Sequence, residues 1–128
     1  MTITIQLTSI SQYYKYTGAI VRQPAKSNPV HDNNLTVTPG QDNYSIPDCT
    51  SSPKAIATVS GLAANDKGRY ITLIGEGVEH PATVAENEVF ILEDGATWTA
   101  LSGSRITFRV IDTDTLGEIA GSRIQTVV

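Results

Sequence analysis

Hydrophobic and polar residues alternate along much of the chain, in the manner of strands that bury one face. The first eight residues place Ile3, Ile5 and Leu7 on one side and threonine or glutamine on the other. The same period of two returns at 105–111, where isoleucine, phenylalanine and valine alternate with threonine and arginine. Because successive side chains of a strand point to opposite faces, both segments predict half-buried strands.

Short apolar runs separated by turn residues fill the second half of the chain. Further strands are predicted at 13–21, 55–59, 70–74, 89–92, 97–99 and 119–128. Glu93-Asp94-Gly95 is typical of a hairpin turn, and no segment has convincing helical periodicity, although the alanines of 55–64 would tolerate a helix. Short strands at regular spacing predict an all-β fold, an antiparallel β-sandwich of jelly-roll-like form.

The inward positions of these strands define the expected core. It should be mainly aliphatic, because aromatic residues make up only 6% of the chain. Trp98 is the one large anchor, and filling the core is its expected role. The alternative role is a stacking platform for a sugar, which would require an exposed ring. The other expected core residues are Ile71, Leu73, Val89, Ile91, Ile106, Phe108 and Val110.

Residues 22–54 break this regularity and predict a long, irregular, proline-rich insertion. Five of the six prolines lie there, among many asparagines and aspartates. Only 35–37 and 44–46 are apolar enough to pair as strands. The region is either a run of loops and edge strands or an arm that packs on a neighbouring molecule. The residues that we expect to contact a partner are Tyr13, Tyr14, Tyr16, Pro24, Pro29, Leu35 and Tyr44.

Length and charge narrow the classes of function. A chain of 128 residues suits one domain over 1–128, without room for a large buried active-site chamber. The net charge of −4 argues against nucleic acid as the main ligand, because phosphate binding requires a basic face. The start has no signal-peptide pattern, and no apolar run approaches the ~20 residues of a membrane helix. Neither nucleic acid nor a membrane is therefore an expected partner.

Each group of residues that could support catalysis or metal binding lacks a required member. Cys49 is the single cysteine, so no intrachain disulfide forms, and a catalytic thiol would need His31 or His80 beside it. Two histidines and one cysteine are a poor zinc ligand set. The carboxylates of 76–94 favour a solvated acidic face that could meet a basic partner. The stretch 112–117 begins like a calcium loop but fails at two required positions, so a tight turn is expected. We predict no enzyme, with no catalytic, cofactor-binding or metal-binding residues.

Predicted strands and glycines recur in a regular order through residues 56–112. Its parts are Ile56, Val59-Ser60-Gly61-Leu62, Gly68-Arg69-Tyr70-Ile71-Thr72-Leu73-Ile74-Gly75, Ala82-Thr83-Val84, Ile91-Leu92-Glu93-Asp94-Gly95, Leu101-Ser102-Gly103 and Ile106-Thr107-Phe108. This pattern resembles a β-rich module of tailed-phage virion proteins, which include head decoration (cement) proteins, head fibres and tail spikes. The resemblance implies a structural role in a phage particle.

From this resemblance we expect a capsid decoration protein that stabilises the head lattice. Its partners would be the major capsid protein and its own copies, in a homotrimer, and its location the virion. A receptor- or carbohydrate-binding module of a tail fibre or spike is the alternative, with Trp98 and the tyrosines at 13–16 as aromatic contacts. A third possibility is an enzyme, such as a depolymerase fragment that uses the acidic stretch.

Overall fold

A computed structural model of the chain describes residues 24–30 and 32–127. The described residues form ten strands and two short 3₁₀ turns, with no α-helix among them, so the all-β prediction is confirmed. The strands are β1 (Lys26–Ser27), β2 (Asn34–Thr36), β3 (Asn43–Ile46), β4 (Thr58–Ser60), β5 (Tyr70–Gly75), β6 (Thr83–Val84), β7 (Phe90–Ile91), β8 (Trp98–Thr99), β9 (Arg105–Asp112) and β10 (Thr115–Glu118). The strands predicted at 1–8 and 13–21 lie outside the described residues.

Six strands share one sheet, in the order β1-β3-β5-β9-β10-β7. Its centre, β5-β9-β10, is antiparallel, whereas β1, β3 and β7 join in parallel at the two sides. The described residues form two further sheets of two strands each, β2 with β4 in parallel and β6 with β8 antiparallel. The prediction of a wholly antiparallel fold is therefore wrong, because parallel and antiparallel pairings are mixed.

The strands that pair in parallel are separated by long stretches of chain. Asn34 lies opposite Thr58 and Asn43 opposite Thr72, at separations of 24 and 29 residues. Parallel strands require such long crossover connections, whereas antiparallel neighbours can be joined by a tight hairpin. The segments on either side of 93–95 accordingly do not form the predicted hairpin: β7 pairs with β10, and β8 pairs with β6. Asp94 and Gly95 have the positive φ values expected of a hairpin turn. The conformation of a turn does not by itself determine which strand pairs with the segment that follows it.

Residues 24–30 and 32–54 place most of their apolar side chains in the core, whereas 24–27 and 50–53 are exposed. The apolar segments at 35–37 and 44–46 contribute to β2 and β3, as the sequence allowed, and β3 pairs along its full length with β5. Leu35, Tyr44 and Ile46 have no exposed surface. Of the two forms expected for this region, a run of loops and short strands agrees with its described part, in which the apolar residues contribute to the core.

The core agrees with the expected one at most positions. The confirmed members are Ile71, Leu73, Trp98, Ile106, Phe108 and Val110, all buried. In the run 89–92 the alternation is opposite to the predicted one, since Phe90 and Leu92 are buried, Val89 is only partly buried and Ile91 is exposed. The ring of Phe90 packs edge-on against Phe108, with 5.6 Å between the ring centroids. Ile91 consequently belongs to the solvent side of the sheet.

Candidate interaction surface

The six-stranded sheet has a solvent side formed by alternate residues of its strands. In β5 and β9 the buried side chains alternate with exposed or half-buried ones. The hydroxyls of Thr72 and Thr107 lie 3.0 Å apart on the solvent side and form a hydrogen bond between these two strands. We name this side the outer sheet face; its members are Tyr70, Thr72, Ile74, Ile91, Arg105, Thr107, Arg109, Ile111, Gly117 and Ile124.

One row of the outer sheet face crosses four strands. Its members in spatial order are Tyr70, Arg109, Gly117 and Ile91. Adjacent strands lie ~4.8 Å apart, so the row spans ~14 Å. Gly117 has no side chain, and the side chain of Ile111 lies over this position: a Cβ added to Gly117 would be 2.7 Å from the Cδ1 atom of Ile111. Because Tyr70 is 59% exposed, Ile91 45% and Ile111 48%, this is apolar surface open to solvent.

Arginine supplies the charge of this face. Arg105 and Arg109 are exposed, and no carboxylate oxygen of the described residues lies within 4.0 Å of either guanidinium group. Arg69 and Arg123, by contrast, each hold a carboxylate oxygen at 2.7 Å. Exposed arginines beside aromatic and aliphatic side chains are typical of the centres of protein–protein interfaces.

A shallow depression of about 310 Å³ lies at one end of the outer sheet face. We name it the socket; its lining residues are Lys67, Gly68, Arg109, Val110 and Ile111. The ammonium group of Lys67 is 3.9 Å from Asp112, and both side chains are more than half exposed, so this ion pair holds Lys67 only loosely. The socket therefore combines two cationic side chains with aliphatic surface.

The loop that follows β5 has the opposite charge. Glu76, Val78 and Glu79 are exposed there, and Val78 has 74% of its surface in solvent. The carboxylate of Asp48 accepts hydrogen bonds from the backbone N–H groups of 78–80, at 2.8 to 3.1 Å. These bonds, first of all that from the Glu79 N–H, lower the pKa of Asp48 below its usual value. We name Glu76, Val78 and Glu79 the acidic tip, which Asp48 holds in one conformation.

The remaining carboxylates of the acidic stretch have structural or solvent-facing positions. Glu86 accepts a hydrogen bond from the backbone N–H of Leu92 at 2.6 Å, and Glu88 and Asp94 are exposed. The tight turn predicted within 112–117 lies at 113–114, between β9 and β10, and 115–117 belong to β10. Among residues 24–30 and 32–127, no group of three or more His, Cys, Asp or Glu side chains is arranged to hold a metal ion.

The expected partner-contact residues fall into three groups. Tyr13, Tyr14 and Tyr16 lie outside the described residues, and Pro24 and Pro29 are exposed. Leu35 and Tyr44 are completely buried, so for these two the prediction is wrong, because no side-chain surface is left for a partner.

The Tyr44 hydroxyl has partners inside the protein. It accepts a hydrogen bond from the Thr38 N–H at 2.8 Å and donates one to the Gln41 carbonyl at 2.9 Å. Burial raises the pKa of this hydroxyl. Tyr44 thus closes the loop before β3 instead of presenting an aromatic ring to another molecule.

Trp98 has the core-filling role that the sequence predicted. Its ring is fully buried, and its indole N–H donates a hydrogen bond to the carbonyl of Ile124 at 3.3 Å. No face of the ring is open for stacking on a sugar. Cys49 is also buried, and its backbone N–H donates to the His80 carbonyl at 2.8 Å.

Comparison with known proteins adds no relative. No protein-family model matches the chain, and no curated protein and no solved structure matches it. Within the described part of the chain, no helix is long and apolar enough to cross a membrane. The outer sheet face, the socket and the acidic tip each expose apolar side chains beside charges, which suits them to contacts with protein surfaces.

Proposed function

We propose that this protein is a structural component of a tailed-phage virion, a capsid decoration protein that stabilises the head lattice. The observation that carries the proposal is the outer sheet face, where Tyr70 and Ile91 are exposed and Arg105 has no carboxylate partner among the described residues. Exposed apolar side chains gathered with unpaired cations on one face of a folded domain are a sign of a contact site. The arginines would face an acidic area of the major capsid protein.

A lattice clamp also needs a body that keeps its shape. The long strands β5 and β9 bury one side completely in the core, which leaves their other side as a firm platform. A two-layer, jelly-roll-like sandwich is part of the proposal, with the six-stranded sheet as one layer and the two-stranded sheets in the other. The surrounding loops are fixed by side chains such as Arg69, which bonds Asp42 and Asp66 at 2.7 and 3.1 Å.

The size of the face supports a multivalent assembly. β5, β9, β10 and β7 have six, eight, four and two residues, so at ~3.4 Å per residue and ~4.8 Å between strands they present a footprint of roughly 330 Å². Stable interfaces bury about 800 Å² on each partner, so one such contact is weak. A homotrimer on the capsid would present three copies of the face at once, and the linked contacts would raise the overall affinity.

Co-sedimentation with undecorated capsids of the same phage tests this proposal. Wild-type protein should pellet with the capsids, and the double variant Ile91→Glu/Arg105→Glu should stay in the supernatant. Val127→Glu is the matched control, since Val127 is exposed but is not a member of the outer sheet face. Wild-type protein that never pellets with capsids would refute the proposed function.

Receptor or carbohydrate binding in a tail fibre or spike is the second candidate. The exposed ring of Tyr70, beside Arg109 and Thr72, is the feature that favours it, whereas the buried Trp98 counts against it. A glycan array would decide in favour of this candidate if it gave a signal that Tyr70→Ala abolished and Ile91→Ala preserved. A blank array would leave the decoration role as the better proposal.

A further inference from the structure

We infer that copies of this chain associate head to tail, with the acidic tip of one copy inserted into the socket of the next. The inference rests on the proposed function, because it treats the chain as a part of an assembly, and it adds the two surfaces that join the copies. Both surfaces lie on the described residues, so their chemistry can be compared directly.

The two surfaces match in charge and in apolar character. The tip presents one aliphatic side chain, Val78, between the carboxylates of Glu76 and Glu79. The socket presents exposed aliphatic surface at Ile111 between two cationic side chains, Lys67 and Arg109. Insertion of Val78 would bring two glutamates to the rim that carries the two cations.

Apart from the loose ion pair of Lys67 with Asp112, the charged side chains of the two surfaces have no ion-pair partner among the described residues of one copy. No ion pair joins Glu76 or Glu79 to the described residues, and Arg109 has no carboxylate of these residues within 4.0 Å. The socket borders the start of β5 and the tip follows its end, so the six residues of this strand separate them by ~20 Å. A copy is therefore unable to fill its own socket, whereas a second copy could fill it.

The position of the two surfaces determines the type of assembly. Different patches meet in a head-to-tail contact, and such contacts close into rings when the rotation between copies permits. A ring of three would be the homotrimer of the proposed function. The tip is prepared for this contact, because the three hydrogen bonds to Asp48 fix its backbone before binding and reduce the entropy lost on association.

Sedimentation velocity over a concentration series measures the self-association. Wild-type protein should form an oligomer, and Val78→Asp and Arg109→Glu should each weaken it ~10- to 100-fold, as expected for losing one buried aliphatic side chain or one interface charge pair. The matched control is Val127→Asp, which changes another exposed valine and should associate like wild type. Asp48→Asn should weaken association to a smaller extent, because the tip loses its fixed conformation.

A charge-swap pair separates a lost contact from a damaged fold. The variants Lys67→Glu/Arg109→Glu and Glu76→Lys/Glu79→Lys should each sediment as monomers, and an equal mixture of the two should associate again. A mixture that stays monomeric, or an oligomer that is insensitive to Val78→Asp, would overturn the inference. So would a wild-type monomer at every concentration. If such a monomer still pelleted with capsids, the proposed function would stand without the inference.

Discussion

Glu118 and Arg123 form an ion pair at the end of β10. The Glu118 side chain has no exposed surface, and that of Arg123 is 19% exposed. Arg123 reaches both oxygens of the carboxylate, at 2.7 Å from Nη2 and 3.0 Å from Nε, and the N–H of Glu93 donates to it at 2.8 Å. Arg123 also donates to the carbonyls of Ala96 and Thr97. One ion pair thus ties β10 to the loop between β7 and β8.

Removing either partner should destabilise the protein, and by unequal amounts. Breaking a buried pair costs about 3–5 kcal/mol, because the remaining charge stays buried without its counterion. Arg123→Met should be at the upper end of this range, since the carboxylate left behind is shielded from water. Glu118→Ala should be at the lower end, because Arg123 is partly exposed and keeps two carbonyl acceptors.

Urea denaturation, followed by the fluorescence of the buried Trp98, measures these changes. With a slope of about 1–3 kcal/mol per molar urea, a loss of 3 kcal/mol moves the midpoint by ~1–3 M. Lys67→Met is the control, because it breaks a loose and exposed pair and should leave the midpoint unchanged. The double variant Glu118→Met/Arg123→Met should be much less destabilised than the sum of the single variants. Additive losses, or single variants that match wild type, would refute the reasoning.

Three further predictions concern the fold and its response to acid. Phe90→Ala should cost about 3–5 kcal/mol and Ile91→Ala less than about 0.5 kcal/mol in urea unfolding, since only Phe90 points into the core; equal losses would contradict the observed side-chain directions. Gly61→Ala should prevent stable folding, because its Cβ would lie 2.0 Å from a carbonyl oxygen, whereas Gly40→Ala, with open space around it, should cost only about 1–2 kcal/mol in the same assay. The pKa of Asp48 is lower in the folded state than its unfolded value near 3.9, so its contribution is present above about pH 4 and is lost as the pH falls through the folded-state pKa. Melting temperatures of Asp48→Asn and wild type should therefore differ at about pH 6 and converge in acid, and a gap that persists at about pH 2 would contradict this.

The sequence predicted the all-β class and the central strands because a period of two determines which face of a strand is buried. Ile71, Leu73, Ile106 and Phe108 are in the core for this reason, and Arg109 faces solvent. The same period carries no information on which strand lies alongside. The parallel pairings, whose partners are 18 to 29 residues apart along the chain, consequently could not be predicted from it.

The other differences have local physical causes. The run 89–92 contains four apolar residues in succession, so no polar residue indicates which of them face inward. Ile91 was therefore predicted to lie in the core, whereas its side chain is exposed. Tyr44 was expected at a partner contact because prolines and asparagines surround it. Its hydroxyl is instead bonded within the loop that precedes β3, and only the fold brings those partners to it.

The candidate surfaces were predictable in part. Alternation in β9 places Arg105 and Arg109 on the same solvent face, and the acidic residues after β5 were recognised as a solvated face. The hydrogen bonds from the acidic tip to Asp48 could not be predicted, because Asp48 lies thirty residues before Val78 and only the fold brings the two residues together. The socket likewise depends on the approach of the turn before β5 to the end of β9.

The most direct test of the proposed function, attachment to a phage head that stabilises it, is the disruption temperature of undecorated capsids titrated with the protein. The account predicts that the temperature rises with added protein and reaches a plateau at a fixed number of copies per capsid, and that Ile91→Glu/Arg105→Glu produces no rise. A disruption temperature that stays constant, with no protein bound to the capsids at saturation, would contradict it.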